Sequence, residues 1–272
     1  MNTLTWFDSF WQDLRHAGRT LWLSPGFAAV AILSLALGTG ANTAIFQLVD
    51  TVRLRSLPVR DPQGLVEVRI AGGNHGMGLR DSLYGELTRP IFNELKKESR
   101  ALAGLFAWSP DEARVGRGKD LRRVEALYVT GEFFSTLGVT ARQGRLLLDE
   151  DESACPATRA VVSYSYWQNE MGGRELDGTA GLIVDGEFKQ VIGVAPPDFT
   201  GLVVGQRFDV ALPFCRPKDL RRDMFDVTVM GRLAPGQSLD RATAELGAMS
   251  AGIMEVTAPT GYSAKMIETY ER

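Results

Sequence analysis

The longest hydrophobic pattern in this chain is an uncharged stretch over residues 20–49, bounded by Arg19 and Asp50. A helix rises about 1.5 Å per residue, so roughly 20 apolar residues cross the ~30 Å hydrocarbon core of a bilayer. A buried helix of a soluble protein normally keeps a polar face, and no charged face is visible here. A cleaved signal peptide is the stronger alternative, but apolar residues continue through 44–49, beyond its cleavage zone. The pattern favours an uncleaved transmembrane helix over residues 20–50.

Residues 1–19, which precede this stretch, repeat large apolar side chains at near-helical spacing, with charged residues set among them. Tryptophan at such positions is typical of a membrane–water interface. We therefore predict an amphipathic interfacial helix, with a surface helix packed on protein as the alternative. The apolar positions are Trp6, Phe7, Phe10, Trp11 and Leu14.

Small residues interrupt the second half of the apolar stretch and allow another helix to approach closely. This spacing predicts that the helix packs against other membrane helices. Its orientation stays open, because Arg15 and Arg19 before it are balanced by the arginines that follow it. The predicted packing residues are Gly38, Gly40, Ala41 and Ala44.

Residues 51–272 mix short strand-like alternations with short helical patterns, which predicts an α+β domain. Asp185-Gly186 lies between two apolar runs and predicts a tight hairpin. Thr88 is a suitable N-cap, Pro90 fits the first turn, and apolar spacing carries this helix on to Phe106. The predicted strands are 65–70, 124–129, 160–163, the hairpin 182–194, 208–214 and 226–233; further helices are 131–138, 164–173 and one after Ser238 with Leu239, Ala242, Leu246, Met249 and Ile253 on one face.

Composition excludes several functions for this chain. Its net charge is −3 and no basic stripe is present, so the chain lacks a positive surface that would bind the phosphates of a nucleic acid. Its two histidines, His16 and His75, lack the sequence neighbours of a catalytic triad or a metal site. The glycine-rich stretch 71–78 lacks the Gly-Lys-Ser/Thr ending of a phosphate loop, so it is expected to be a flexible loop. We predict no catalytic residue, no resident cofactor and no metal site.

An acidic run, LLLDEDES at residues 146–153, is the remaining candidate for a cation site. It lacks the alternating oxygen ligands and the glycine of a calcium-binding EF-hand loop. We therefore expect a solvated turn.

Cys155 and Cys215 are the only cysteines. Outside the cytoplasm they would be able to form one disulfide, which closes a loop of about 60 residues. Two separate buried thiols are the alternative, and the residues themselves leave both possibilities open.

Several motifs resemble one family of membrane proteins. The segment DLRHAGRTLWLSPGFAAVAILSLALGTGANTAIFQLVDTVRLRSLPVRDPQGLVEV looks very like the amino terminus of MacB/FtsX-type ABC transporter permeases, most of all the acidobacterial-type duplicated group. The similarity continues through VEALYVTGEFFSTLGVTARQGRLLLDEDE, AVVSYSYWQNEMGG, VDGEFKQVIGVAPPDF and VMGRLAPGQSLDRATAEL. The chain is similar in order and spacing to a MacB-like periplasmic core domain preceded by a membrane helix.

This resemblance implies a bacterial inner-membrane protein with a cytoplasmic amino terminus and a periplasmic main domain, which places both cysteines in an oxidising compartment. It implies as partners a cytoplasmic ABC ATPase and other permease helices or a second permease half, with ATP used only through that ATPase. The family has no catalytic residues to carry over. Because it continues into further membrane helices, this chain is expected to be a fragment or a truncated product. A single-pass anchored binding or adaptor domain that works without an ATPase is the alternative.

Overall fold

The computed structural model describes residues 15–16, 19, 22–49, 58–71, 77–78, 86–203, 205–215, 221–263 and 267. The chain divides into two units, 1–56 and 57–272. Most of the predicted amphipathic helix at 1–19 lies outside the described residues. Arg15, His16 and Arg19 are helical and exposed. His75 also lies outside the described part of the chain.

The first unit contains helix α1, Pro25–Val49, within the predicted stretch 20–50. Proline suits its first position because the amide proton that proline lacks would have no helical acceptor there. Residues 25–44 are long and apolar enough to cross a membrane, and none of this span is buried in the structure. The Thr39 hydroxyl donates to the Leu35 carbonyl at 2.7 Å, so its proton is satisfied inside the helix. The prediction of one amino-terminal apolar helix is confirmed.

The second unit is built on a mixed nine-stranded sheet with the order β1-β11-β3-β4-β9-β6-β8-β5, in which β7 pairs with β3 and β8. The pairs β4–β9 and β6–β8 are parallel, and the other pairs of this sheet are antiparallel. A separate parallel pair joins β2 and β10. The α+β prediction is confirmed. The strands are β1 Leu65–Val68, β2 Met77–Gly78, β3 Leu102–Val115, β4 Arg122–Val129, β5 Gln143–Gly144, β6 Arg159–Val162, β7 Gly181–Val184, β8 Glu187–Val194, β9 Val210–Pro213, β10 Met224–Phe225 and β11 Thr228–Leu233.

The α-helices that accompany the sheet in the described part of the chain are α2 Arg89–Glu98, α3 Glu132–Leu137, α4 Tyr164–Glu170 and α5 Leu239–Thr257. Thr88 caps α2 as predicted, because its hydroxyl accepts the amide proton of Ile91 at 3.3 Å. The predicted hairpin turn is also confirmed, since Asp185 and Gly186 have φ angles of 49° and 86°. On α5, Ala242 and Ile253 are buried as expected, whereas Leu239 is 58% exposed.

The predicted continuation of α2 to Phe106 is wrong, because residues 102–115 form the longest strand, β3. The helix ends at Glu98, and Glu245 of α5 accepts the amide protons of Arg100 and Ala101 at 2.8 and 2.9 Å. Gly104 has a φ of +67°, which interrupts the alternation of the strand. Leu102 and Phe106 are both buried but belong to different core clusters, and their four-residue spacing imitates a helix in the sequence.

Three clusters of buried apolar side chains hold the second unit together. In the first, Phe133 on α3 contacts Phe106 edge-on, with ring centroids 5.3 Å apart. Phe199 and Phe208 complete the aromatic group, with their centroids 6.0 Å apart. Edge-to-face pairs of this kind stabilise a core beyond the area that they bury. This cluster fixes α3 against the sheet, which matters for the site described next.

Candidate functional site

A charged cleft of about 1110 Å³ lies along α2 in the second unit. Helix α2 contributes one wall, the acidic run contributes another, and residues 221–223 and 259–262 complete it. Its basic side chains are paired within the protein. Lys97 pairs with Glu94, Arg221 pairs with Asp223, and Arg222 donates to the Val256 carbonyl. The charged lining residues are Arg89, Glu94, Lys96, Lys97, Asp149, Glu152, Arg221, Arg222 and Asp223.

The acidic end of the cleft gathers three carboxylates. One oxygen each from Glu132, Asp149 and Glu152 lies within 4.8 Å of the others. Gly131 places this group, since its amide proton is donated to Glu152 Oε1 at 2.6 Å. An added Cβ at Gly131 would lie 2.1 Å from the Asp149 nitrogen, so only glycine allows the acidic run to approach this closely.

Lys96 supplies the positive charge of this group. Its ammonium bonds to Glu132 Oε1 and lies 3.5 Å from Asp149 Oδ1. Burial opposes ionisation of Lys96, but the hydrogen bond to Glu132 and the nearby carboxylates outweigh it and raise the pKa. The lysine therefore stands where a cation would bind, and the carboxylates are better explained as its partners than as a metal site.

The expectation of a solvated turn at 146–153 is wrong for Asp151 and Glu152, which are 4% exposed. Arg145 forms two hydrogen bonds with the Asp151 carboxylate, at 2.7 and 2.9 Å, and Arg159 adds a third at 2.6 Å. The Leu148 amide donates to the same carboxylate at 2.9 Å. Burial opposes ionisation of Asp151, but these donors together hold the pKa of its carboxyl below the ordinary value.

Sequence reasoning missed this network, although the signal was present in the arginines on either side of the run. Asp151 connects Arg145, just after β5, to Arg159 at the start of β6. The network therefore holds the acidic run rigidly against the sheet. This positions Asp149 and Glu152 beside Lys96.

Cys155 and Cys215 are joined in a disulfide in the structure, with Cα atoms 4.8 Å apart. This separation is within the range that disulfides adopt. The bond ties the residues after the acidic run to the end of β9. Arg89 of the cleft donates to the Cys215 carbonyl at 2.8 Å, so the disulfide and the cleft share one framework.

The four small residues proposed to pack against other helices lie on α1, away from this framework in sequence. All four are exposed. An added Cβ at Gly38 or Gly40 would meet no heavy atom within 4 Å. Their role in helix packing stays a prediction.

Replacing Lys96 tests whether it neutralises the acidic end of the cleft. We expect Lys96→Gln to lower the free energy of unfolding by about 1.5 kcal/mol at neutral pH, because charged hydrogen bonds are lost. The folded pKa of Lys96 is raised, so its contribution is complete below its unfolded pKa and is lost as pH rises through the folded value. Urea unfolding between pH 6 and 11 measures this.

Lys97→Gln is the matched control, since Lys97 lies on the same helix but is 66% exposed and pairs with its neighbour Glu94. We expect it to cost less than about 0.5 kcal/mol. Equal effects from the two variants would contradict a special role for Lys96.

Comparison with known proteins identifies a family whose model matches most of this chain. Residues 28–249 match the model of the MacB-like periplasmic core domain. No curated protein matches the chain.

Several solved structures are similar to this chain. The extracellular domain of the noncanonical ABC-type transporter YknZ from Gram-positive bacteria is 13% identical, with a TM-score of 0.45, over 71% of this chain and 90% of that one. The periplasmic region of MacB from Actinobacillus actinomycetemcomitans is 12% identical, with a TM-score of 0.49, over 75% and 89%. A permease-protein domain from Porphyromonas gingivalis is 14% identical, with a TM-score of 0.45, over 63% and 79%.

The family match begins inside α1 and ends inside α5, so it includes the sheet, the acidic run and both cysteines. The resemblance to MacB/FtsX-type permeases is confirmed at the level of this domain. The chain belongs to the MacB-like periplasmic core domain family.

Proposed function

We propose that this chain is the amino-terminal part of the permease subunit of a MacB/FtsX-type ABC transporter. The observation that carries the proposal is the match to the MacB-like periplasmic core domain over residues 28–249, which begins within an apolar helix able to cross a membrane. A separate cytoplasmic ATPase would hydrolyse ATP. The permease helices would relay the resulting motion to the second unit, residues 57–272, called here the sheet unit. The sheet unit would act on a substrate in the periplasm.

The anchored arrangement has physical support in α1. The large apolar side chains between Phe27 and Leu37 are all more than half exposed, which is costly in water and favourable in lipid. The large exposed residues are Phe27, Val30, Ile32, Leu33, Leu35 and Leu37. We propose that the bacterial inner membrane covers this surface, and that other permease helices cover its small residues.

The charged cleft supports a mechanical rather than a catalytic role. Its lysine and arginine side chains bond to acidic or carbonyl groups of the same chain, which stiffens the unit. We propose that the chain is not itself an enzyme and that it uses no resident cofactor.

Topology is the first test of this function. Alkaline phosphatase fused after residue 60 or residue 250 should be active, because it folds only outside the cytoplasm. Green fluorescent protein at the same positions should be dark when exported by the general secretion route. Active phosphatase at residue 60 and inactive phosphatase at residue 250 would overturn the proposed arrangement.

Coupling to an ATPase requires a second test. The natural gene product that contains this chain, purified from its own membranes, should carry ATP hydrolysis activity with it. A variant with α1 replaced by a cleavable signal peptide should lose that activity, because the remaining permease helices would lack the first member of their bundle. A fully anchored protein with no accompanying ATP hydrolysis would leave the single-pass adaptor as the better description.

A further inference from the structure

The segment Pro58–Gly64, called here the joining segment, contains the first described residues of the sheet unit. Val59 packs against the aromatic core cluster. The Arg60 amide donates to the Leu137 carbonyl at 2.8 Å, and the Gly64 amide donates to the Asp61 carbonyl at 3.1 Å. Contacts of this number and kind are unusual for a flexible linker, which exposes most of its backbone to water.

One side chain, Arg232 on β11, makes most of the remaining attachments. Its Nη1 donates to the Asp61 carbonyl at 2.6 Å and lies 3.3 Å from Asp61 Oδ2. Its Nη2 donates to the Arg60 carbonyl and to the Thr136 carbonyl, the latter at 3.2 Å. The side chain is 14% exposed. A planar guanidinium can reach several oxygens at once, which a lysine ammonium does less well.

Two carbonyls of this network, those of Thr136 and Leu137, belong to the end of α3. A helix leaves its last carbonyls without helical partners, and a positive charge is favourable beside them. Arg232 donates a hydrogen bond to the Thr136 carbonyl, and the Arg60 amide donates one to the Leu137 carbonyl. The joining segment, α3 and β11 therefore share one hydrogen-bonded network.

The position of Arg232 in β11 connects this network to both neighbouring strands of the sheet. Arg232 pairs with Leu65 in β1 on one side and with Ala103 in β3 on the other. A displacement delivered to the joining segment therefore reaches β11, and through it β3, without first passing through β1.

We propose that Arg232 is a positioning residue that makes residues 58–64 a rigid joint, through which displacement of the preceding chain reaches β11 and α3. A freely rotating linker would absorb that displacement instead. This inference rests on the proposed coupling function, but its test requires no ATPase, so either idea can fail alone.

The test is to pull on the full chain in lipid bicelles with optical tweezers. Handles attach to engineered thiols in the double variant Pro58→Cys and Glu175→Cys, with the native cysteines left oxidised. In the chain with Arg232 intact, we expect no extension before the sheet itself unfolds. In Arg232→Met, we expect an early step of about 2 nm as the seven-residue joining segment detaches. The force of the later main unfolding event should stay unchanged.

Arg222→Met is the matched control, because Arg222 also donates to carbonyls at a helix end, those of Val256 on α5 and of Ala258 directly after it. It should show no early step. Asp61→Asn should also behave like the parent, since Arg232 relies mainly on backbone carbonyls at this position.

Arg232→Lys keeps a cation in place if the methionine variant does not fold. It should give the early step at a force between those of the parent and of Arg232→Met. An early step in the parent chain, or its absence in both Arg232 variants, would overturn the proposal.

Discussion

Breaking the Cys155–Cys215 bond is expected to lower the free energy of unfolding of the sheet unit by about 4 kcal/mol. The two cysteines are 60 residues apart, and the bond restricts the unfolded chain by closing that loop. For a unit of this size, such a loss lowers the melting temperature by about 10 °C. The bond lies outside the core strands, so the reduced protein should still fold.

The measurement is thermal unfolding of the parent and of the Cys155→Ser/Cys215→Ser double variant, each with and without a dithiol reductant. The reductant should lower the melting temperature of the parent to that of the variant and leave the variant unchanged. A parent whose melting temperature is the same in both conditions would contradict a stabilising disulfide. The reduced protein would then be as stable as the oxidised protein.

The second large effect is expected at Asp151. Its carboxylate is fully enclosed and receives hydrogen bonds from Arg145, Arg159 and the Leu148 amide. We expect Asp151→Asn to cost about 2–3 kcal/mol, because the charge is removed and one of its two acceptor oxygens is replaced by an NH₂ group that faces the guanidinium donors. Chemical denaturation at pH 7 measures the loss.

Glu150→Gln is the matched control, since Glu150 faces the same two arginines at 3.3 and 3.8 Å but is 67% exposed. We expect it to cost less than about 1 kcal/mol. If both variants lost the same free energy, burial of the Asp151 carboxylate would not be the cause.

The pH dependence of stability separates the charge of Asp151 from its shape. Hydrogen bonds from Arg145, Leu148 and Arg159 overcome the cost of burial and lower the pKa of Asp151 in the folded protein. Its stabilisation is therefore present above the unfolded pKa of about 3.9 and is lost as pH falls through the lower folded value. Asp151→Asn should remove this part of the acid-side decline in stability.

Local signals in the sequence were sufficient for the elements that local chemistry controls. Thr88 starts α2 with a side-chain cap, and Asp185-Gly186 supplies the positive φ angles of the hairpin. The absence of charge over 20–49 identifies α1 by its length. In each case the residues that make the structure are neighbours in the chain.

Features that depend on distant residues were not predicted. The bulge at Gly104 interrupts the alternating pattern by which β3 would have been recognised in the sequence. The end of α2 depends on Glu245, which lies on another helix. Asp151 is buried because β5 and β6 bring Arg145 and Arg159 to its carboxylate. The spacing of these residues in the sequence does not predict that they meet. Arg232 meets Asp61 across 171 positions, which a single sequence offers no means to see.

During synthesis of the chain, β1 emerges long before β11, the strand with which it pairs. β1 ends at Val68, and its partner strand begins at Thr228. At 5–20 residues per second, the roughly 160 residues between them take about 8–30 s to emerge. Throughout that interval β1 lacks its partner in the finished sheet, and strand edges of this kind invite pairing with other chains. We therefore expect β1 of the nascent protein to need protection from pairing with other chains until β11 has emerged.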